Sequence, residues 1–283
     1  MKELVVGLDG SRDSRRALRW AAALADRAAV PLRAIEAWSY PALTVVPGWS
    51  ELVSPSEMDD RTVDGIRALV ASELGEVPAF VTAEARRGPA ARAILGAVGP
   101  DSVLVLGSRG RGGFAGLLLG SVSRECIEHA QCPVVIARED DPPTPGDTVI
   151  LVGKDGSENS ARALEWAGTV GQLTGAAVVA AYVWQVTSAE VKPQLHRRLR
   201  AEAGATVERW LAEGPHSTAS VEAEGDPRTK LVELAERMDA KLVVVGRRGT
   251  SRLRGLATGG VSSYLVSNSP TTVAVIPPPR RGR

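Results

Sequence analysis

The residues best placed to do chemistry are two glycine-bearing segments and the aspartate that goes with each. The first segment, Gly107-Ser108-Arg109-Gly110, is followed after nine residues by Gly120-Ser121-Val122-Ser123. An apolar run, Val103–Leu106, leads in, and a helical pattern, Ser121–Ala130, leads out. Gly107 lets the chain leave a strand where a Cβ would crowd a ligand, and Gly110 permits a positive φ. Gly120 and Ser121 open the helix, whose unpaired N–H groups and positive dipole end favour an anion. The hydroxyls of Ser121 and Ser123 can donate to phosphate oxygens. Asp9 closes the apolar run Leu4–Leu8, and a carboxylate there accepts hydrogen bonds from ribose hydroxyls. The combined chemistry is that of a nucleotide site. Asp9-Gly10-Ser11 is also a good helix cap, and the two roles can coexist. Arg109, Arg111, Arg247 and Arg248 read either as phosphate clamps or as exposed solubilising charge.

Other glycine motifs fit less well. No G-x-x-x-x-G-K-[ST] is present, which excludes a P-loop. Gly110-Arg111-Gly112-Gly113-Phe114-Ala115 fits the loose dinucleotide pattern, but it does not join the first strand of a βαβ unit to its helix. His129, His196 and His216 occupy unrelated positions without metal-ligand spacing or a nucleophile elbow, so no catalytic or metal role is expected of them.

The elements that must position these residues come twice. Asp155 lies 146 residues after Asp9, and at that separation Ser14 meets Ser160, Leu18 meets Leu164, Trp20 meets Trp166 and Trp38 meets Trp184. Gly107, Gly110 and Gly120 recur 139 residues on as Gly246, Gly249 and Gly259. The second copy is therefore seven residues shorter, and the stretch after Trp38, with Pro41, Pro47, Gly48 and Pro55, is the expected place. Each copy is long enough to own a core. Strands are expected at Leu4–Leu8, Leu32–Ala37, Ala79–Ala83, Val103–Leu106 and Val134–Ala137. Helical patterns between them run near 11–29, 56–74, 90–98 and 121–130. In the second copy the strand candidates are Val149–Val152, Val178–Val183, Ala219–Ala223, Leu242–Val245 and Val273–Ile276. Near-continuous Val, Leu and Ile runs alternating with helices predict parallel strands covered on both faces, hence a doubly wound α/β sheet in each half. Expected domains are 1–139 and 147–283, joined by the acidic, Pro-rich linker at about 139–147; the tail 277–283 reads as disordered.

Composition narrows the function further. Formal net charge is +1, from 34 basic and 33 acidic residues, so no nucleic-acid or anionic-membrane footprint is expected. No apolar run reaches the length of a membrane span, and the N-terminal segment reads as a strand rather than a secretory signal, which predicts a cytoplasmic protein. Two cysteines, Cys126 and Cys132, do not make a disulfide scaffold and read as small core residues, with a redox pair the alternative. The four repeated tryptophans read as packing anchors.

The spacing Gly-x2-Gly-x9-Gly-[Ser/Thr] resembles the ATP-binding signature of universal stress proteins. Val6-Gly7-Leu8-Asp9-Gly10-Ser11 and Cys132-Pro133-Val134-Val135-Ile136 are similar to that family's flanking motifs. The resemblance covers nearly the whole chain, once per half. It implies a 3-2-1-4-5 order of five parallel strands in each half and ATP, with or without Mg2+, as ligand. It further implies a homodimer or an equivalent pairing of domains through the last strands, and a regulatory protein partner. Carried over, the first site comprises Asp9, Ala37 (backbone, near the base), Leu106, Gly107, Gly110, Gly120, Ser121, Val122 and Ser123. The second comprises Asp155, Val183, Val245, Gly246, Gly249, Gly259, Val261 and Ser262. Gly260 stands where the signature has Ser or Thr, so weaker phosphate contacts are expected there. Three functions follow: an ATP-dependent regulatory module, a slow ATPase or self-phosphorylating enzyme, or a nucleotide-free scaffold. The lack of an evident general base disfavours fast chemistry.

Overall fold

The apolar runs become strands because helices on both faces of the sheet cover them. The computed structural model describes residues 1–40, 54–110, 119–144, 148–185, 201, 219–249 and 259–279. They form two compact units, Met1–Asp140 and Asp141–Arg283. Unit 1 runs β1 (Glu3–Leu8), α1 (Arg12–Ala28), β2 (Leu32–Trp38), α2 (Pro55–Leu74), β3 (Val81–Arg87), α3 (Ala90–Leu95), β4 (Ser102–Gly107), α4 (Ser121–His129) and β5 (Val134–Ala137). Unit 2 runs β6 (Val149–Gly153), α5 (Glu158–Thr174), β7 (Ala177–Trp184), β8 (Ala219–Glu224), α6 (Pro227–Arg237), β9 (Ala240–Gly246), α7 (Gly260–Asn268) and β10 (Thr272–Ile276). The stretch expected to hold the seven-residue difference, residues 111–118 and 250–258 of the glycine loops (Arg111 among them), His196, His216 and the end of the tail lie outside the described residues.

Strand order in unit 1 is β3-β2-β1-β4-β5, and in unit 2 it is β8-β7-β6-β9-β10, the expected 3-2-1-4-5 arrangement twice. All pairings within each unit are parallel, with Val6 opposite Ala34 and Val105, and Val152 opposite Ala180 and Val244. In unit 1, α1 and α2 pack on one face, and α3 and α4 on the other. Leu4, Val5, Val6, Val105 and Val135 are fully buried, as strands covered on both faces require. One expected strand is displaced. The apolar residues suggest Ala79–Ala83, but β3 is Val81–Arg87. As an edge strand it carries Glu84, Arg86 and Arg87, which reach solvent and ion pairs, so hydrophobicity underestimates its extent.

Helix ends follow local rules in both units. Ser11 caps α1 by accepting from the Ser14 N–H at 3.2 Å, and Ser157 caps α5 in the same way at 3.1 Å. Gly10 (φ 74°) and Gly156 (φ 81°) make the turns before them. Helix α2 opens with a capping box between Ser54 and Glu57, followed by Pro55. At the C-terminal end of α1 the chain enters the left-handed region at Ala29 (φ 51°), whereas the matched residue closing α5 is Gly175 (φ 70°). A side chain there is strained, so Ala29→Gly should stabilise unit 1 by about 0.5–1 kcal/mol. A lower urea midpoint for the variant would refute this.

The tryptophans repeat in sequence more than in environment. Trp20 is fully buried while Trp166 is partly exposed. The indole N–H of Trp38 donates to Asp59 (2.6 Å) and that of Trp184 to Glu222 (2.7 Å). Both cysteines are buried core residues, and burial, with Glu125 and Cys132 adding to it, pushes the Cys126 thiol up to about 12. Neither should react with iodoacetamide at pH 8 until denaturant is added, as counting alkylated sites by mass would show.

Candidate functional site

The two units place their glycine loops at the carboxyl edges of their sheets, where doubly wound folds hold ligands. In unit 1 the turn out of β1 sets the Asp9 carboxylate by an Asx-type bond, Oδ1 accepting from the Ser11 N–H at 3.0 Å. The same bond fixes Asp155 through Ser157 N–H at 3.0 Å, with the Ser157 hydroxyl donating as well at 2.6 Å. The serine is thus the helix cap in each unit, and the aspartate supports it from outside the helix.

The aspartates explain one glycine of each loop. A Cβ on Gly110 would strike Asp9 Oδ2, and one on Gly249 would strike Asp155 Oδ2. Neither glycine has a positive φ, so close approach of the carboxylate, rather than the expected backbone freedom, favours glycine there. Gly107 likewise serves a contact within the protein. Its Cβ would meet the backbone of Asp13 in α1, with the carbonyl carbon at 2.6 Å, rather than a ligand.

Asp13 ties the loop down. Its Oδ2 accepts from the Ser108 hydroxyl (2.5 Å) and the Arg109 N–H (3.1 Å). In unit 2 the matched residue is Asn159, whose Nδ2 donates to the Arg248 carbonyl at 3.0 Å. These two residues escape notice in the sequence because only their shared offset of 146 links them. Nearby, burial pulls the Arg138 guanidinium below its ordinary pKa, with Asp13 opposing and Arg109 and Arg16 reinforcing that shift.

The far end of each loop returns to its start. The Gly120 N–H donates to the Ser108 carbonyl at 2.8 Å, and Gly259 N–H to the Arg247 carbonyl at 2.7 Å. The Ser123 hydroxyl donates to the Gly107 carbonyl at 2.8 Å, and that of Ser262 to the Arg247 carbonyl at 3.0 Å. Both serines therefore staple the loop, leaving their backbone N–H groups, not their hydroxyls, for an anion. Ser121 is exposed and Val122 partly so at the first turn of α4. Ala37 and Leu106 are the last residues but one of β2 and β4, the strands that flank β1. Gly120 has no crowding of its own, the nearest atom to an added Cβ being Ser108 O at 3.5 Å.

In unit 2 these parts enclose a cavity of about 310 Å3. All eight expected residues border it: Asp155 and Val183 on one side, Val245, Gly246 and Gly249 beneath, and Gly259, Val261 and Ser262 at the helix end. Lys154, Tyr182, Pro227, Leu231 and Arg248 border it too. Lys154 could have been found as a charge at the end of an apolar strand, where the first copy has Leu8. Pro227 and Leu231 could not, because only tertiary packing brings α6 over β7 and β9.

A doubly wound α/β unit in which a glycine loop leads to a helix N-terminus at the carboxyl edge of the sheet is thus present twice in the chain. The family model for the universal stress protein family matches residues 1–138 and again 148–277, and the chain belongs to that family. A universal stress protein of Mycobacterium tuberculosis strain H37Rv is 32% identical over 305 residues, covering 97% of this chain and 95% of the relative. A second from the same strain is 31% identical over 294 residues, with 96% and 95% covered. A solved universal stress protein from Archaeoglobus fulgidus has the same fold, with a TM-score of 0.67 at 22% identity, over 97% of this chain and 98% of that one. Among the described residues no helix is long and apolar enough to cross a membrane, and no cluster of three or more acidic, His or Cys side chains could hold a metal ion.

Proposed function

We propose that the chain is an ATP-binding regulatory module whose bound nucleotide sets the state that a partner protein reads. The observation that supports this most directly is the unit 2 cavity, bordered by every residue the glycine signature carries over to that copy. Its volume falls in the ~300–1,000 Å3 range of small-ligand sites. The base would lie against Val183, Val245 and Leu231, and the ribose against Asp155. The phosphates would face the free N–H groups that open α7. Unit 1 offers the same parts in Asp9, Ala37, Leu106 and the first turn of α4. Any Mg2+ would enter on the nucleotide's own phosphate oxygens. Asp9 and Asp155 are engaged by the Ser11 and Ser157 N–H groups, which suits binding better than proton transfer.

Calorimetric titration of the intact chain with ATP tests the reading. Saturable binding at micromolar concentration, about −8 kcal/mol, is expected, and no heat and no nucleotide carried through purification would overturn it. The departure at Gly260 gives a sharper test. An added Cβ meets nothing within 4 Å, so Gly260→Ser fits without displacement. A new hydrogen bond to a charged phosphate contributes ~1.5–3 kcal/mol, so the variant should bind ATP in unit 2 roughly ten- to a hundredfold more tightly. An unchanged titration would mean that this position does not meet phosphate.

A further inference from the structure

The two sites share their backbone plan but not their charge. Lys154 stands at the end of β6 beside Asp155, where unit 1 has Leu8, which is 5% exposed. Tyr182 borders the unit 2 cavity at the position of Glu36. Among the described residues, the ionic groups around that cavity are Lys154 and Arg248 against Asp155, a net charge of +1. At the matched unit 1 positions they are Arg109 against Asp9 and Glu36, a net charge of −1. Two arginines border a separate cavity with Glu36, but Arg15 pairs with Glu73 at 2.8 Å and Arg61 is exposed. Behind the loops the comparison is neutral. Asp13 and Arg138 carry opposite charges in unit 1, and Asn159 and Pro277 carry none in unit 2. Glu158, which replaces Arg12, is exposed and does not border the cavity.

We infer that the unit 2 site selects its ligand by phosphate number through Lys154, whereas the unit 1 site takes nucleotides with little regard to it. The inference rests on the nucleotide reading above and adds which unit discriminates. Each added phosphate brings negative charge into a cavity whose dimensions are comparable with the ~8 Å Debye length at physiological salt, so solvent screens it incompletely. The +1 wall attracts that charge and the −1 wall repels it. The lost hydroxyl at Gly260 lowers affinity for any phosphate-bearing ligand, but it leaves this gradient in place.

The test uses two full-length single-site proteins, Gly120→Val to report on unit 2 and Gly259→Val to report on unit 1. Each is titrated with adenosine, AMP, ADP and ATP without divalent metal. Unit 2 should bind ATP roughly tenfold or more tightly than AMP, while in unit 1 AMP, ADP and ATP should differ by less than about threefold, the step from adenosine to AMP reporting the Ser121 hydroxyl and the helix end instead. Lys154→Gln should flatten the unit 2 series with little change for adenosine, and Lys154→Arg should restore it. Equal gradients in the two proteins, or a Lys154→Gln loss as large for adenosine as for ATP, would overturn the inference while leaving nucleotide binding intact. Failure of both proteins to bind any of the four ligands would instead remove the nucleotide reading and the inference with it. Circular dichroism and a cooperative melt confirm that each variant is folded.

Discussion

Gly107→Ala should destabilise unit 1 by about 3 kcal/mol, without any ligand being involved. The added Cβ would sit 2.6 Å from the Asp13 carbonyl carbon and 2.8 Å from its carbonyl oxygen. Those atoms belong to the helical backbone of α1, which no rotamer change can move aside. Relief requires α1 to shift from β4, loosening the Asp13 bonds to Ser108 and Arg109 that hold the loop. Gly246→Ala in unit 2 should cost less than half as much. Its nearest neighbour is the Asn159 side chain at 2.8 Å, which can rotate at the cost of one hydrogen bond. Because two units need not unfold together, hydrogen exchange at α1 and α5 amides is the appropriate readout alongside urea midpoints. Equal protection of α1 in wild type and Gly107→Ala would contradict the argument.

Gly120→Val should show the opposite behaviour, leaving the fold intact while abolishing nucleotide binding in unit 1. The backbone at Gly120 is extended, with φ −67° and ψ 153°, which any residue adopts. An added Cβ meets only ordinary contacts, with Ser108 O at 3.5 Å, Arg109 Cα at 3.7 Å and Gly110 N at 3.9 Å. The protein therefore has no strong reason of its own for glycine there. The bulk enters the space between the loop and the first turn of α4, where the phosphates are proposed to lie. A ligand at a hundred times its dissociation constant stabilises the native state by ~2.7 kcal/mol. For units of this size that corresponds to a rise in Tm of roughly 5–10 °C. The unit 1 transition of wild type should show this rise with ATP, and Gly120→Val should lose it while melting at the wild-type temperature without ATP. An undiminished ATP shift in the variant would exclude the loop from the site.

Gly107 and Gly120 look alike in the sequence, and the sequence reading assigned both to the ligand. Only the packing separates them, because whether a Cβ would strike helix backbone or open space depends on where α1 comes to rest. The same applies to Gly110 and Gly249, whose requirement for glycine comes from Asp9 and Asp155, about a hundred residues away in each copy. The Ser123 hydroxyl reads in the sequence as a donor to phosphate, yet tertiary closure of the loop engages it with the Gly107 carbonyl, as it does the Ser262 hydroxyl with the Arg247 carbonyl.

What the sequence determined by itself was local or periodic. Apolar runs and capped helices specified most of the elements, because strand burial and helix capping are decided within a few residues. The 146- and 139-residue offsets specified two copies, and the glycine spacing specified where an anion could meet a helix end. The tertiary structure decided how far the edge strand β3 runs, what each glycine is required for, and that Pro227 and Leu231 help wall the cavity. It also brought Tyr182 and Arg248 to the cavity that Lys154 and Asp155 border, and so decided which charges face one another there. These depend on distances between residues remote in the chain, and the physical reason they were hidden is that no local preference or period in the sequence encodes such a distance.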